Sequence, residues 1–426
     1  MISQLKEKYF SKYFKSDFSW NFFSMMSGTA ISQIIPLCTA PIIYRYYSQN
    51  FIGAQALFMS IVSMLLGTMT AKYEMAINIP DDENEAKKIV SLTNFVSFVS
   101  ALIFMIGFSF LKSFFVVHYQ ISNFYLWLIL LPIALFFSAI KTTLFQWFVR
   151  KKKFRMINLS TLVQAGIPNL IFVVFAFINP SENVLLIGYV IGALLAGGIL
   201  YYIYQKKNDV KNNFHQLAAT AKKYKNFPIM QWPANLLDNI SSQIIIFLIA
   251  RYYGIAAAGI FSVGLKYVNV PMSLIGNSLS AVMTQRVAED INKTGDCRAI
   301  YLKMVRKLFI AGLILCLILY FFSPWACTIV LGAKWRISGR YIQIMCLLYF
   351  SKFIANPICI ISVIRQKQRY ILLWQSTLFV LSTSAILVGY FLYNSIQVSL
   401  FIYSLVYFAM YSIDISMNYR FSKKNY

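Results

Sequence analysis

Twelve apolar stretches fill this chain, and each is long enough to cross a lipid bilayer as a helix. The hydrocarbon core of a bilayer is about 30 Å thick, so a crossing helix needs roughly 20 residues. With 59% hydrophobic residues and a mean hydropathy of +0.62, the chain has no room for a large soluble domain. The sequence therefore predicts an all-α polytopic membrane protein with about twelve transmembrane helices. The predicted spans lie near residues 19–42, 53–72, 89–111, 124–148, 157–178, 184–204, 229–251, 257–281, 308–331, 341–363, 371–392 and 397–418.

Basic residues are distributed unevenly over the connections between these spans. The two termini and every second loop hold 30 of the 39 lysines and arginines, whereas the opposite connections hold six. Cytoplasmic loops carry an excess of lysine and arginine, so both termini are predicted to be cytoplasmic. The net charge of +25 then follows from topology and from attraction to anionic lipid. No nucleic-acid partner is expected.

Cysteines and histidines are arranged in a way that argues against a metal centre. The six cysteines are scattered without a CxxC pair, and the two histidines lie far apart in different loops. Zinc sites need closely spaced ligands of these types, so neither a metal nor a cofactor is predicted. The connections on the less basic side are short apart from two, near residues 112–123 and 325–340. Because these cannot fold as a catalytic domain, the chain is not predicted to be an enzyme.

Two segments of the chain repeat the same short motifs. The copies read Ser32-Gln33-Ile34-Ile35 with Arg45-Tyr46-Tyr47, and Ser242-Gln243-Ile244-Ile245 with Arg251-Tyr252-Tyr253. Each copy has a glycine eight residues after its arginine, Gly53 in one and Gly259 in the other. This repeat predicts two six-helix lobes related by a pseudo-two-fold axis along the membrane normal. The predicted domains are an N-terminal lobe at 1–204, a cytoplasmic linker at 205–227 and a C-terminal lobe at 228–426.

Four ionisable residues lie deep within the predicted spans. Such groups usually face the bundle interior or a water-filled cavity, because hydrocarbon does not solvate charge. Lys266 and Asp238 lie at similar depth in spans 8 and 7, either as an ion pair between helices or as a substrate-anion contact with its counter-ion. Lys352 lies in the middle of span 10, and its position favours an interpretation as a cation that faces a cavity. Lys141, near the inner end of span 4, either lines a cavity or extends to the membrane interface.

Charged residues also lie at the ends of spans. Arg45 and Arg251 end the repeat-equivalent spans 1 and 7 on the outer side. They are interpreted either as interface anchors or as a pair of guanidinium groups that could receive a diphosphate bidentately. Glu74 and Asp414 lie close to the inner boundary, where we expect both carboxylates to be solvated.

Four segments carry motifs that point to a known family. The most specific is Lys72-Tyr73-Glu74-Met75-Ala76-Ile77-Asn78-Ile79-Pro80, and the others run from Gly28 to Gly53, from Tyr224 to Leu237 and from Ala258 to Arg286. These segments resemble the Wzx-type polysaccharide-biosynthesis flippases, the O-antigen translocases of the multidrug/oligosaccharidyl-lipid/polysaccharide exporter superfamily. The first is similar to the RYExAIxLP stretch of that family, with Lys72 where arginine is common. Order, spacing and length fit along nearly the whole chain.

The resemblance implies two six-helix lobes in a V around a central cavity. It implies a cargo of undecaprenyl-diphosphate-linked sugar repeat units, of the O-antigen or capsule type, which moves from the inner to the outer leaflet of the bacterial cytoplasmic membrane. Implied partners are anionic phospholipids, a polysaccharide polymerase and a chain-length regulator. A cavity lined with cations is implied as well, although no motif assigns them. The candidate substrate-binding residues are Lys141, Lys266, Lys352, Arg45 and Arg251, and the candidate coupling or counter-ion residues are Asp238 and Glu74.

Two alternatives from other functional classes, and one from the same class, compete with a flippase for such repeat units. A MATE-like drug exporter would share the fold, but cationic drugs call for acidic cavity residues, and here three mid-span lysines outnumber one aspartate. A membrane glycosyltransferase or polymerase would need clustered acids or arginines in a sizeable outer loop, and residues 325–340 contain no acid. A flippase for another lipid-linked cell-wall precursor is close in mechanism and stays open.

Overall fold

The structure, a computed structural model, describes residues 17–119, 121, 123–207, 214–365 and 367–423. Within these ranges the chain is helical and contains no β-strand. Short non-α segments lie at Tyr73–Asn78 (3₁₀), Phe227–Gln231 (π) and Ala333–Trp335 (3₁₀). The α-helices are α1 (Asp17–Tyr46), α2 (Gln49–Met69), α3 (Glu83–Phe110), α4 (Lys112–Tyr119), α5 (Phe124–Arg150), α6 (Phe154–Ile178), α7 (Glu182–Lys207), α8 (Phe214–Lys223), α9 (Trp232–Tyr253), α10 (Ile255–Thr294), α11 (Arg298–Leu331), α12 (Arg336–Ile344), α13 (Cys346–Ile358), α14 (Ile360–Ile364), α15 (Gln368–Tyr393) and α16 (Ile396–Phe421).

Among the described residues, eleven helical segments are long and apolar enough to cross a membrane. They coincide with predicted spans 2 to 12, and α1 covers the position of predicted span 1. A helix satisfies its own backbone hydrogen bonds, which a segment within a bilayer requires. The predicted fold class, an all-α polytopic membrane protein, is confirmed.

Predicted span 10 differs from the single helix that hydropathy indicated over 341–363. The structure divides this region into α12, α13 and α14, with breaks at Met345 and Cys359. Pro357 lies one residue before the end of α13. Proline has no backbone N–H and cannot donate to the carbonyl four residues earlier, so it interrupts the helix. Hydropathy reports burial in lipid and is insensitive to this interruption.

The pattern of contacts divides the chain into two compact units. The first unit contains residues up to Tyr46 and Phe58–Ile240, and the second contains Tyr47–Leu57 and Ser241–Tyr426. One division point therefore falls between α1 and α2, and the other two fall within α2 and within α9. The lobe boundaries given above, at residues 204 and 228, stay a prediction.

In the first unit, α1 packs along α6, α7 packs against α5 and α6, and α3 packs against α5. Helix α3 begins where the Asp82 carboxylate accepts hydrogen bonds from the backbone N–H groups of Asn84 and Glu85, a usual N-cap arrangement. A buried apolar cluster around Trp147 joins α3, α5 and α7 to the 3₁₀ segment Tyr73–Asn78. Near the other end of α5, the Trp127 ring packs edge-on against Phe58, with 5.4 Å between centroids.

In the second unit, α15 packs along α16, α11 packs against α12 and α13, and α13 packs against α10 and α16. The short segment Tyr47–Leu57 is tied to this unit by two hydrogen bonds. Gln49 Nε2 donates to the Lys334 carbonyl at 2.6 Å, and Lys334 Nζ donates to the Tyr47 carbonyl at 2.7 Å. Partial burial lowers the pKa of the Lys334 ammonium. These bonds place the first turns of α2 with the second unit.

Two adjacent glycines in α7 provide a test of the packing between α5 and α7. A Cβ atom added at Gly197 would lie 2.4 Å from the Phe137 carbonyl oxygen, whereas one added at Gly198 would have no atom within 4 Å. We expect Gly197→Ala to destabilise the protein by about 1–3 kcal/mol through overpacking. Gly198→Ala should be neutral or stabilising, because alanine favours helix by about 0.5–1 kcal/mol over glycine. Thermal unfolding of the two purified variants in the same detergent measures both effects, and equal unfolding temperatures would contradict the packing.

Candidate functional site

A polar cavity of about 270 Å³ lies within the first unit. It is formed by the second half of α2 together with α5, α6 and α7. Its apolar boundary includes Leu66 and Phe145, whereas its remaining surface carries one ammonium group, one amide and several hydroxyls. The lining residues are Val62, Ser63, Leu66, Ser138, Lys141, Thr142, Phe145, Gln164 and Tyr189.

Helix α5 supplies the charge of this cavity. Residues 138 and 145 each lie three or four positions from 141 and 142, so the four share one face of α5. The Lys141 ammonium donates a hydrogen bond to Gln164 Oε1 on α6. Of the two interpretations given for Lys141, the structure therefore shows the side chain within a cavity. Whether a substrate contacts it stays a proposal.

The hydroxyl groups of the cavity are only partly satisfied. Thr142 Oγ1 donates to the Ser138 carbonyl at 2.9 Å. Ser138 is 5% exposed, and its Oγ has no hydrogen-bond partner within the described ranges. A buried polar group without a partner costs about 1–3 kcal/mol, so this hydroxyl is suited to a polar ligand atom. Sequence reasoning missed Ser138 and Gln164 because it selected charged residues, whereas uncharged polar groups in mid-span positions would have pointed to both.

Lys266 and Lys352 lie in the second unit, on α10 and α13. Lys266 is exposed and Lys352 is half-buried. In the part of the chain that the structure describes, neither ammonium makes a hydrogen bond or an ion pair. Asp238 is exposed on α9 and belongs to the first unit, so the predicted pairing of Asp238 with Lys266 stays a prediction. A joint diphosphate site that includes Lys141 likewise stays a prediction.

The two repeat-equivalent arginines occupy the last turns of their helices. Arg45 lies one residue before the end of α1 and Arg251 two residues before the end of α9, and both side chains are exposed. The Arg251 guanidinium lies over the Tyr252 ring, 5.9 Å from its centroid. An aromatic neighbour suits an interface anchor, and a bidentate contact to phosphate needs the same exposure. Both interpretations stay open.

The expected solvation of two carboxylates is wrong. Glu74 is 2% exposed, and its Oε1 lies 3.6 Å from Lys72 Nζ. Asp414 is 5% exposed and accepts hydrogen bonds from the Tyr370 hydroxyl at 2.8 Å and from Asn418 Nδ2 at 3.0 Å. Both residues are near span ends in sequence, but tertiary packing buries them, and a hydroxyl from another helix bonds Asp414. Glu74 thus has Lys72 as an immediate counter-ion.

The stretch 72–80, which carries the most specific resemblance, folds as a 3₁₀ turn against the end of α5. Arg150 donates from Nη1 to the Ile77 carbonyl at 3.1 Å and from Nη2 to the Asp81 carbonyl at 3.0 Å. The Tyr73 hydroxyl donates to the Ala221 carbonyl on α8 at 3.4 Å. Burial raises the pKa of Tyr73. The stretch therefore acts as a packing element that joins α5 and α8.

A second contact joins α8 to the start of α3. The Tyr224 hydroxyl, just beyond α8, donates to Glu85 Oε1 at 2.8 Å, and Lys223 forms an ion pair with the same oxygen. Burial and the hydrogen bond to Glu85 raise the pKa of Tyr224 to about 12. The hydroxyl therefore stays protonated, and able to donate, at neutral pH.

Comparisons with known proteins agree with this fold. A teichuronic acid biosynthesis protein, TuaB of Bacillus subtilis (strain 168), is 24% identical over 176 residues. That match covers 40% of this chain and 36% of the relative, so the chain spans about a third of the length of this curated relative. Among solved structures, the lipid II flippase MurJ in an inward closed conformation has a TM-score of 0.74 at 12% identity, covering 93% of this chain and 89% of that one.

A multidrug resistance MATE family transporter of the MOP superfamily, in its inward-facing conformation, has a TM-score of 0.66 at 12% identity. This likeness covers 92% of this chain and 98% of the transporter. At such identities both structures establish the fold only, which is that of multi-pass membrane transporters. A family model described as polysaccharide biosynthesis protein matches residues 53–339, about two thirds of the chain, and confirms the resemblance found in the sequence. The chain belongs to the polysaccharide biosynthesis protein family.

Proposed function

We propose that this protein is a flippase for an undecaprenyl-diphosphate-linked oligosaccharide of the O-antigen or capsule type. It moves the lipid-linked sugar from the inner to the outer leaflet of the bacterial cytoplasmic membrane by alternating access. Both termini lie in the cytoplasm, as the basic loops predict. No covalent chemistry is involved, so the protein acts as a transporter rather than an enzyme.

The Lys141 cavity, in a chain of the polysaccharide biosynthesis family, is the observation that carries this proposal. A lipid-linked oligosaccharide presents a negatively charged diphosphate and hydroxyl-rich sugars, and the cavity offers one ammonium, one amide and several hydroxyls. Its volume of about 270 Å³ lies just below the usual range of ligand pockets, about 300–1,000 Å³. It therefore suits one part of the head group, a phosphate or a single sugar ring.

Lys266 and Lys352 provide further cations for the diphosphate, and the prenyl tail stays in the lipid. A ligand shifts a conformational equilibrium only through its different affinities for the two states, so these cations must contact it differently in each. An inside-negative membrane potential drives the negatively charged head group outward, by about 2.3 kcal/mol per negative charge per 100 mV. The membrane potential thus biases transport outward. Asp238 and Glu74 are the candidate counter-ion or coupling residues, and an ion-coupled antiport through Asp238 is not required.

The partners follow from the cargo. Anionic phospholipids surround the basic loops, and a polysaccharide polymerase and a chain-length regulator receive the translocated units. The teichuronic acid biosynthesis relative supports a glycopolymer precursor as cargo. A precursor of another cell-wall polymer carries the same diphosphate and is the nearest alternative.

Transport of a fluorescent undecaprenyl-diphosphate oligosaccharide in proteoliposomes tests the proposal. The wild type is compared with Lys141→Gln, Lys266→Ala and Lys352→Ala at equal reconstitution. A hydrogen bond to a charged group contributes about 1.5–3 kcal/mol, so each variant should lose roughly tenfold or more in flipping rate. Lys303→Gln, which removes an exposed lysine of α11, is the matched control and should flip at the wild-type rate.

Three other results would contradict parts of this proposal. Normal flipping in all three lysine variants would show that these lysines do not contact the substrate and serve only the structure. Flipping of lipid II or a teichoic precursor, without flipping of the oligosaccharide, would reassign the cargo. Efflux of a cationic dye, without flipping of any diphosphate lipid, would assign the protein to the drug exporters instead.

A further inference from the structure

The first unit contains a second cavity, of about 390 Å³, that shares no lining residue with the Lys141 cavity. It lies where α5 and α7 end and α3 begins. Its lining includes Glu83 from α3, Trp147 from α5, Tyr204 from α7, and Lys151 and Lys153 from the turn after α5. In the predicted topology this turn is the cytoplasmic loop between spans 4 and 5, at the level of the inner leaflet.

The turn directs alternate lysines to the cavity. The backbone N–H of Lys153 donates to the Phe148 carbonyl at 2.9 Å, which closes the turn at the end of α5. Lys152, between Lys151 and Lys153, has a positive φ of 54°. Its side chain is exposed and does not line the cavity. Two lysines of the KKK run therefore belong to the site, and the middle one does not.

The walls of this cavity combine aromatic rings with charge. Trp147 and Tyr204 pack edge-to-face at 5.3 Å between centroids, and Lys151 Nζ lies 5.3 Å from the centre of the Trp147 ring. The Glu83 carboxylate forms an ion pair with Lys151, and its Oε1 lies 3.4 Å from Lys87 Nζ. The lining thus holds two lysines, Lys151 and Lys153, and one carboxylate, Glu83, so the site carries a net positive charge.

We propose that this cavity binds the phosphate group of an anionic membrane lipid, such as phosphatidylglycerol, from the inner leaflet. Basic pockets between transmembrane helices on the cytoplasmic side suit anionic lipid head groups, and tryptophan and tyrosine favour the membrane interface. Lys151 and Lys153 bind the phosphate oxygens, and the head group lies along Trp147 and Tyr204. Glu83 holds Lys151 in position and competes with the phosphate for it.

The proposal predicts that removing the lysines lowers the affinity for the lipid, whereas removing the Glu83 charge raises it. The full-length protein is purified in a neutral detergent, and binding of phosphatidylglycerol is measured by native mass spectrometry against phosphatidylcholine of the same chain length. We expect the wild type to prefer phosphatidylglycerol and the Lys151→Gln/Lys153→Gln variant to lose about tenfold or more in affinity for it. Glu83→Gln should raise that affinity, because it removes the competing carboxylate.

Lys152→Gln is the matched control, because it removes the same charge from the same turn outside the cavity. Its affinity should stay within about twofold of the wild type, and a loss equal to that of the double variant would show diffuse surface attraction and overturn the site. Lys153→Gln alone removes an exposed side chain and keeps the test valid if the double variant does not fold. Inorganic phosphate should not displace the lipid at equal concentration, and displacement would assign the cavity to a soluble anion instead. Equal binding of the two lipids by the wild type would also overturn the proposal.

Discussion

We expect Gly53→Ala and Gly259→Ala to lower the thermal stability of the purified protein more than any other alanine substitution of a glycine in α2 or α10. A Cβ atom at Gly53 would lie 2.0 Å from the Ile255 carbonyl oxygen, and one at Gly259 would lie 2.4 Å from the Gln49 carbonyl oxygen and 2.7 Å from the Gly53 nitrogen. All of these contacts are with backbone atoms and lie within the second unit. Neither helix can relieve them by rotating a side chain, so the helices must separate.

Overpacking usually destabilises a protein by about 1–3 kcal/mol. Because these two substitutions must displace backbone, we expect each to cost at least the upper end of that range. Thermal unfolding in detergent, followed by size-exclusion chromatography after heating, measures the loss. Gly107→Ala in α3 is the control, because a Cβ there has no atom within 4 Å. If Gly53→Ala and Gly259→Ala unfold at the same temperature as Gly107→Ala, the close approach of α2 and α10 is wrong.

These two glycines also show what a sequence repeat can and cannot reveal. Their matching position, eight residues after Arg45 and Arg251, was visible in the sequence as part of a repeat. That the two glycines contact each other was not visible, because a repeat identifies equivalent positions and says nothing about distance. The contact gives the shared spacing a physical reason, since each position must be a glycine for the other helix to approach.

Most of the fold could be predicted because hydropathy is a local property. Each span is defined by its own residues, and a charge such as Lys141 stands out within an apolar run without any knowledge of its neighbours. The division of span 10 at Met345 and Cys359 and the polar lining from Ser138 and Gln164 depend on finer features that a hydropathy window averages out. For this same reason Lys141 could be singled out from the sequence, with its two interpretations left open, whereas its polar neighbours could not.

Burial of charge near span ends could not be predicted in the same way. Glu74 and Asp414 lie near the ends of predicted spans, where water is usually close. Their burial depends on residues distant in the chain. Arg150 donates a hydrogen bond to the turn that contains Glu74, and Tyr370 donates one to Asp414 from another helix. Only the tertiary structure brings such partners together, so the sequence indicated solvated carboxylates.

Asp414 is the centre of a buried polar network, and its removal should be among the most destabilising changes in the second unit. Asn418, which is 0% exposed, donates to Asp414 and accepts hydrogen bonds from the Ser362 hydroxyl at 2.8 Å and the Ser362 backbone N–H at 3.2 Å. With the Tyr370 hydroxyl, the network joins α14, α15 and α16. Among the described residues, no lysine or arginine forms an ion pair with Asp414, so hydrogen bonds hold its carboxylate.

We expect Asp414→Ala to cost about 2–4 kcal/mol. It leaves the buried Tyr370 hydroxyl without its acceptor, at about 1–3 kcal/mol, and removes the side-chain acceptor of Asn418 Nδ2, which keeps only its hydrogen bond to the backbone carbonyl of residue 414. Asp414→Asn keeps an acceptor oxygen of the same shape and should cost much less. Tyr370→Phe removes only the donor, so the double variant Tyr370→Phe/Asp414→Ala should be less destabilised than the sum of the two single changes by about 0.5–3 kcal/mol. Unfolding in denaturant gives all four free energies. Additive effects would show that the two side chains act independently, and the network would then be a coincidence of packing.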